Sequence, residues 1–349
     1  MIRIQNIYYM LSYAFQTLQS QGYKELAVEE FANTGELCAA ILSRGIGLQL
    51  KRGLHREYLL RTEPLSAVRG KIDLSESIKT QSLLKPQLVC SYDEFSVDSK
   101  LNRILRSTME LFLHAEISKK QKKELKGLLV FFRDVKFVDF KYLDWDIQLN
   151  RNDATYRMLI GICYLVVMGL LQTQSDGTMK MMDFFDEQRM SRLYEKFILE
   201  YYRRHYPDLS ADASQIPWAL NGEDGYLLPA MQTDVTLQKG STVLIIDAKY
   251  YEQTMQVRFD KHAIHSANLY QIFTYVKNKD YSFEENPHVV SGMLLYAKTD
   301  ESVQSEAVYL MHGNSIRVGT LDLNQDFSKI AWRLDSIVQE HFEGIEKIN

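Results

Sequence analysis

Two runs of alternating apolar and β-branched residues meet at Lys239-Gly240: LLPAMQTDVTL (227–237) before it and TVLIIDAKYY (242–251) after it. Period-two patterning on both sides of a glycine-containing turn predicts a β-hairpin, with the second strand buried. With the loop centred on Lys239-Gly240, Gln238 opposes Ser241 and Asp234 opposes Ile245. Asp234 then shares a face with Ile245, Asp247 and Lys249, because side chains alternate along a strand. An odd-numbered loop or a bulge would place Asp234 on the opposite face. Around the hairpin the period changes to that of a helix. Residues 262–277 place Leu269, Ile272, Phe273 and Val276 on one stripe, with Asn268, Gln271 and Tyr275 on a neighbouring face. Residues 188–205 place Met190, Leu193, Tyr194, Phe197, Ile198 and Tyr201 inward, with Glu195 at the edge of the stripe. A strand is predicted at 288–298, so the order is helix, hairpin, helix, strand.

An apolar strand that turns to Asp247 and Lys249 is locally inconsistent, since a buried charge costs several kcal/mol (roughly) unless paired or bound to metal. Such inconsistencies concentrate at functional sites. Two carboxylates on one patch suit a hard cation such as Mg²⁺, which keeps room for phosphate oxygens and water. A neighbouring lysine orients or deprotonates an attacking water, or neutralises charge developing on phosphorus. The implied chemistry is phosphodiester hydrolysis. The alternative reading of Asp247 and Lys249 is an ordinary surface pair at a strand end.

The helix–hairpin–helix–strand order with D-x(12)-D-A-K resembles the core of the PD-(D/E)XK nuclease superfamily, and the chain more closely resembles the McrC family of nuclease subunits. The resemblance rests on Asn6-Ile7-Tyr8-Tyr9-Met10-Leu11, Arg69-Gly70-Lys71-Ile72, Asn102-Arg103-Ile104 with Ser107-Thr108, and Met190-Ser191 with Leu193-Tyr194 ahead of Lys196-Phe197. It continues through Leu227-Leu228-Pro229, Thr233-Asp234, Ile246-Asp247-Ala248-Lys249-Tyr250-Tyr251 and Asn268-Leu269-Tyr270-Gln271. It implies an α/β fold with a restriction-endonuclease-like C-terminal core and a catalytic set of Asp234, Asp247 and Lys249. Thr233 stands where the superfamily motif usually has proline. The expected metal site is Mg²⁺ on Asp234, Asp247 and the backbone carbonyl of Ala248. Glu195, Gln271 and Asn268 are expected in support, Glu195 at the metal and the two amides at Lys249 or a phosphate. The resemblance further implies an N-terminal half that docks into a ring of a GTP-hydrolysing McrB-like AAA+ hexamer and stimulates it, with double-stranded DNA as substrate and two copies brought together in the complex. The competing reading is a non-catalytic, GTPase-stimulating scaffold with a nuclease fold.

The N-terminal half predicts two helices over residues 6–50, then a small antiparallel unit at about 53–98 with strands at 56–61 and 87–92. Arg69-Gly70-Lys71 forms a turn whose glycine allows a tight loop; it is read either as a basic partner-docking tip or as a solvated hairpin end. A helix at 98–113 has Asp98 as its candidate N-cap, and Arg103 and Arg106 are read first as partners of local carboxylates such as Glu94 and second as contacts for DNA. Lys119, Lys120, Lys122, Lys123 and Lys126 form a basic run, read first as a solvated face. QTQSDGT (172–178) is the linker-like stretch, dividing an α+β domain at 1–175 from an endonuclease domain at 176–349.

Charge and composition narrow the picture. A net charge of −4 over 349 residues excludes a uniformly basic nucleic-acid surface, so DNA contact needs a local groove or a partner that holds the DNA. Cys38, Cys90 and Cys163 lack the spacing of a zinc site or a disulfide framework. The longest apolar run, 158–171, is too short to span a bilayer, no charged-then-apolar leader is seen, and a cytoplasmic location is expected. No G-x-x-x-x-G-K-[ST] occurs, so any GTP would be bound by a partner rather than this chain.

Overall fold

The structure is a computed structural model and describes residues 2–20, 22–149, 153–173, 187–220, 222, 225–250, 255–258, 261–283, 286–298 and 306–343. The chain forms two compact units, Met1–Thr34 with Phe185–Asn349, and Gly35–Phe184. This division differs from the expected one at residue 175, because the first 34 residues belong with the C-terminal unit.

In order, the elements are α1 (Ile4–Ala14), α2 (Thr34–Arg52), β1 (Glu57–Leu65), β2 (Lys71–Ile72), α3 (Leu74–Lys79), β3 (Leu88–Ser96), α4 (Lys100–His114), α5 (Lys119–Leu129), α6 (Ala154–Thr173) and α7 (Glu187–His205). There follow β4 (Ser210–Asp212), β5 (Gln215–Ile216), β6 (Met231–Gln232), β7 (Val235–Lys239), β8 (Thr242–Lys249), β9 (Met255–Arg258), β10 (Lys261–Ile264), α8 (Ser266–Tyr281), β11 (Val289–Ala297), β12 (Ala307–Met311), β13 (Asn314–Leu321) and α9 (Phe327–Val338). Among the described helices none is long and apolar enough to cross a membrane.

The C-terminal unit is built on a six-stranded mixed sheet of order β12-β13-β11-β8-β7-β4. β8, β11 and β13 run parallel in its middle, and β7 and β12 join antiparallel. Parallel strands are buried on both faces, which explains the unbroken apolar run Val243-Leu244-Ile245-Ile246. One face packs α8: Ile272, Tyr275 and Val276 meet Val243, Ile245, Leu294, Ile316 and Val318. The opposite face, carrying Leu244 and Ile246, packs α7, whose Tyr194, Phe197 and Ile198 are buried as the stripe predicts. In α8 the inward face holds Asn268, Ile272, Tyr275 and Val276, a slight rotation from the expected stripe. The helix also begins at Ser266 rather than 262, since Lys261–Ile264 is strand.

α1 belongs here because its apolar face needs α7. Tyr13 packs edge-on against Phe197 at 5.3 Å, and Tyr9 stacks on Phe327 at 4.5 Å. Buried Asn6 adds the directional lock, its Nδ2 donating to the carbonyls of Leu323 and Gln325 at 2.8 Å each.

The Gly35–Phe184 unit packs α2, α4, α5 and α6 around Leu37, Ile41, Ile104, Leu105, Phe112 and Leu159. Its three-stranded sheet, β1-β3-β2, realises the expected antiparallel unit. Two local expectations are corrected. Ser99, not Asp98, caps α4, accepting from Asn102 N–H. Asp98 instead receives both arms of Arg103 at 2.7 Å and the Lys136 N–H, and although burial pulls its pKa up, these donors hold it below the usual value. Arg103 therefore pairs with Asp98, while Glu94 takes Arg61.

Gly292 of β11 sets how closely α8 approaches the sheet. A Cβ there would stand 2.7 Å from Ile272 Cγ1, 2.8 Å from Val276 Cγ2 and 3.0 Å from Ile316 Cδ1. Gly292→Ala is expected to cost about 1–3 kcal/mol in urea unfolding through overpacking. An unchanged midpoint would mean that α8 yields without cost.

Candidate active site

β8 brings Asp247 to the end of its buried run with 1% of the residue exposed. Observed pairing runs Val235↔Ile246 to Lys239↔Thr242, so the turn is Gly240-Ser241, with Gly240 at φ +59°. The expected register is therefore off by one pair. Because the loop is still even-numbered, the face is unchanged, and Asp234, just ahead of β7, stands across from Asp247 rather than Ile245.

Asp234 is tied in place by backbone: its Oδ2 accepts the N–H of Ala248 at 2.8 Å. A strand residue sends its N–H and C=O toward the same neighbour, so the Ala248 carbonyl leaves β8 on the edge facing Asp234. The chain before β7 has turned away from that carbonyl, because the Thr233 N–H is bonded to Ser214 O at 3.0 Å. The Thr233 hydroxyl strengthens the turn, accepting from Ser214 N–H at 3.0 Å and lying 2.9 Å from the Thr236 hydroxyl.

Lys249 Nζ lies 3.0 Å from Asp247 Oδ1 as an ion pair. Beyond its charged neighbours Lys249 and Asp234, neither buried oxygen of Asp247 has a hydrogen-bond partner. Gln271 Oε1 accepts from Lys249 Nζ at 3.4 Å. From there Gln271 Nε2 donates to the Tyr275 hydroxyl at 2.9 Å, and Tyr275 donates to Gln232 O at 3.1 Å, returning to the segment that carries Asp234. Asn268 is buried and donates to the Tyr296 hydroxyl at 3.0 Å, which places its amide out of reach of a phosphate. Tyr296 neighbours Lys249 in the β11–β8 register, so Asn268 acts one layer out from the lysine.

Burial pushes the Asp234 carboxyl above the usual range, and the charge of Asp247 adds to it. Burial does the same to Asp247 against the pull of Lys249. Glu195, half-buried on α7 and accepting from Ser191 Oγ at 2.9 Å, is also raised, first by burial and then by Asp234. Three carboxylates thus share one electrostatic environment with one lysine.

This donor set fits a hard divalent cation. The two buried oxygens of Asp247, the fixed carboxylate of Asp234 and the Ala248 carbonyl are all oxygen ligands, the kind Mg²⁺ takes in small number. Among the described residues there is no cluster of three or more His, Cys, Asp or Glu with metal-holding geometry, so the backbone carbonyl would have to contribute.

Reasoning from sequence missed Tyr275 and Tyr296 as parts of the site. Tyr275 was findable as the residue one turn after Gln271 on the face toward the hairpin; Tyr296 carried no local signal, because only strand pairing sets it beside Lys249. Arg69, Gly70 and Lys71 lie in the other unit. There Gly70, at φ +70°, lies against β3, where a Cβ would be 2.4 Å from Ser91 O, and the Arg69 guanidinium covers the Tyr92 ring at 4.1 Å. The turn lies against the sheet with Arg69, Gly70 and Lys71 all exposed.

The family model for the McrBC 5-methylcytosine restriction system component matches residues 4–297. A relative from Escherichia coli (strain K12), the type IV methyl-directed restriction enzyme EcoKMcrBC, is 28% identical over 352 residues, covering 98% of this chain and 99% of the relative. A refined half-complex from a tetradecameric assembly of Thermococcus gammatolerans McrB AAA+ hexamers with bound McrC matches with a TM-score of 0.52. It covers 96% of this chain and 76% of that one at 17% identity, a likeness of fold. The family match runs through the hairpin, α8 and β11, and so takes in Asp234, Asp247, Lys249 and Gln271. The chain belongs to the McrBC 5-methylcytosine restriction system component family.

Proposed function

We propose that this chain is the Mg²⁺-dependent endonuclease subunit of a GTP-dependent, modification-dependent restriction complex, cutting double-stranded DNA and stimulating the GTPase of a McrB-like AAA+ hexamer. The observation that carries the nuclease reading is Asp247: a carboxylate at full depth with no backbone or neutral hydrogen-bond partner, set against only a second carboxylate and a lysine. Asp234, Asp247 and the Ala248 carbonyl would hold the cation, which supplies Lewis acidity at a phosphoryl oxygen and a water of lowered pKa. Lys249 is aimed by Gln271 from one side and Asp247 from the other, so it orients the attacking water and faces the charge that develops on phosphorus. The Tyr275 bridge to Gln232 keeps that lysine and the Asp234 segment in one frame. Glu195 borders the same site from α7 and shapes its charge.

The partner reading rests on the family, on the McrB–McrC assembly of the Thermococcus relative, on the missing phosphate-binding loop, and on the Gly35–Phe184 unit. On that unit's sheet Tyr58 and Leu60 are each 71% exposed, beside Phe95 with its ring 4.9 Å from that of Tyr58. An apolar patch left in water marks a protein-binding surface.

Two measurements test this. Methylated plasmid, incubated with Mg²⁺, GTP and the McrB-like partner, should be cut by the wild type, while Asp247→Ala should lose about 10²–10³-fold or more with GTPase stimulation intact. Stimulated GTPase with no cutting by the wild type would favour the scaffold. The second is melting in a metal chelator. A carboxyl whose folded pKa is raised binds its proton more tightly when folded, so stability falls as pH rises from the unfolded value through the folded one. Asp247→Asn should therefore melt above the wild type at mildly alkaline pH, by about 2–4 °C per kcal/mol relieved, and the gap should close toward pH ~4. Mg²⁺ should then raise the wild-type melting temperature and leave that of Asp247→Asn nearly unchanged.

A further inference from the structure

Beside Asp234 opens a groove of about 310 Å³ between α7 and the segment leading to β7. Its charged lining is Arg192, Glu195, Lys196, Glu200, Arg203 and Asp234, three cations against three carboxylates. The cations are not equivalent. Arg203 is already engaged by its neighbours, Glu200 at 2.9 Å, Asp212 at 3.2 Å and the Ala211 carbonyl at 2.9 Å. Arg192 and Lys196 are exposed, and neither has an ion pair or side-chain hydrogen bond among the described residues. They stand four residues apart on one helix, about 5–6 Å between Cβ atoms, one on each side of Glu195 in the chain. Glu200 is neutralised by Arg203, which leaves Glu195 and Asp234 as the groove's open negative charges, both at the metal-binding end.

We infer that this groove is the seat of the cleaved DNA strand, with Arg192 and Lys196 each holding a phosphate next to the one attacked. The inference rests on the nuclease reading for the identity of the site and extends it to two positioning residues. An exposed arginine and lysine with no ion pair or side-chain hydrogen bond among the described residues, beside a cation site, are what a polyanionic strand needs, the arginine as a two-pronged donor and the lysine as a point charge. As built, the groove carries no excess positive charge. Its attraction for DNA arises when a divalent cation offsets Asp234 and its neighbours, so strand binding and metal binding reinforce each other.

The test is the salt dependence of DNA binding by the complete complex of this chain with its McrB-like partner, read by anisotropy of a labelled methylated duplex with Ca²⁺ in place of Mg²⁺. Each phosphate contact adds about 0.9 to the slope of log K against log salt. Arg192→Ala/Lys196→Ala should therefore lower the slope by about 1.8, while Arg192→Lys/Lys196→Arg keeps it. The alanine variant should retain its metal-dependent rise in melting temperature, which separates lost contacts from lost fold. An unchanged slope would overturn the inference even where wild type cuts DNA. A lowered slope in a protein whose wild type never cuts would sink the nuclease reading and leave the groove standing.

Discussion

Everything in the C-terminal unit answers to one unfavourable act: placing Asp247 at the depth of a core residue beside a second carboxylate. Burial disfavours the charged form and mutual repulsion adds to it, so the folded chain keeps the arrangement only because the rest of the sheet over-determines it. β8 is sandwiched between parallel β11 and antiparallel β7 and covered by helices on both faces, so the Asp247 backbone is held in place. Asp234 is held from the other side by the Ala248 N–H, and Lys249 by Gln271. A preorganised site of this type resists relaxation, which is what lets fixed charges act on a transition state rather than collapse onto one another.

Several of the residues that carry the family resemblance hold backbone rather than substrate. Asn6 bonds two carbonyls ahead of α9. Asn102 donates to the His55 and Val97 carbonyls at 2.8 Å each and accepts from the Tyr156 hydroxyl, binding the entry to β1 and the exit from β3, side by side at one end of the sheet, to α4. Thr233 does the same one residue before the first acid. Its N–H and hydroxyl both engage Ser214, so a proline there would remove the donor that turns the chain away from β8. The departure from the usual superfamily motif thus has a local reason: this hairpin enters its acid through a hydrogen-bonded threonine turn.

The hairpin parity was legible because a pleat admits only two faces, and the buried strand and its two acids declare which face is in. The exact pair was not, since Lys239-Gly240 and Gly240-Ser241 are both sound turns and only the partner strands choose between them. The same limit appears at α8, whose helical periodicity extends back across residues that instead pair as β10. Asp98 reads as a cap until Arg103 and Lys136 are seen to claim it, one turn and 38 residues away. The assignment of residues 1–34 to the C-terminal unit could not be read at all. An amphipathic helix announces that it needs a partner surface, and nothing in its own sequence says that the surface is α7, nearly 200 residues on.

The electrostatics fit the proposed function even with a net charge of −4. A stand-alone DNA enzyme would be drawn to any duplex through a positive surface, because phosphate contact supplies most nonspecific affinity. Here the cleft beside the acids balances its cations with carboxylates, and Arg203 is tied down internally. Such a cleft has little pull on DNA by charge alone until a divalent cation is bound. Even then it has short reach, since exposed charges are screened within about 8 Å at physiological ionic strength. On the proposed function, delivery of the strand would come from elsewhere, and a subunit that cut only what a partner handed to it would gain discrimination from the weakness of its own grip.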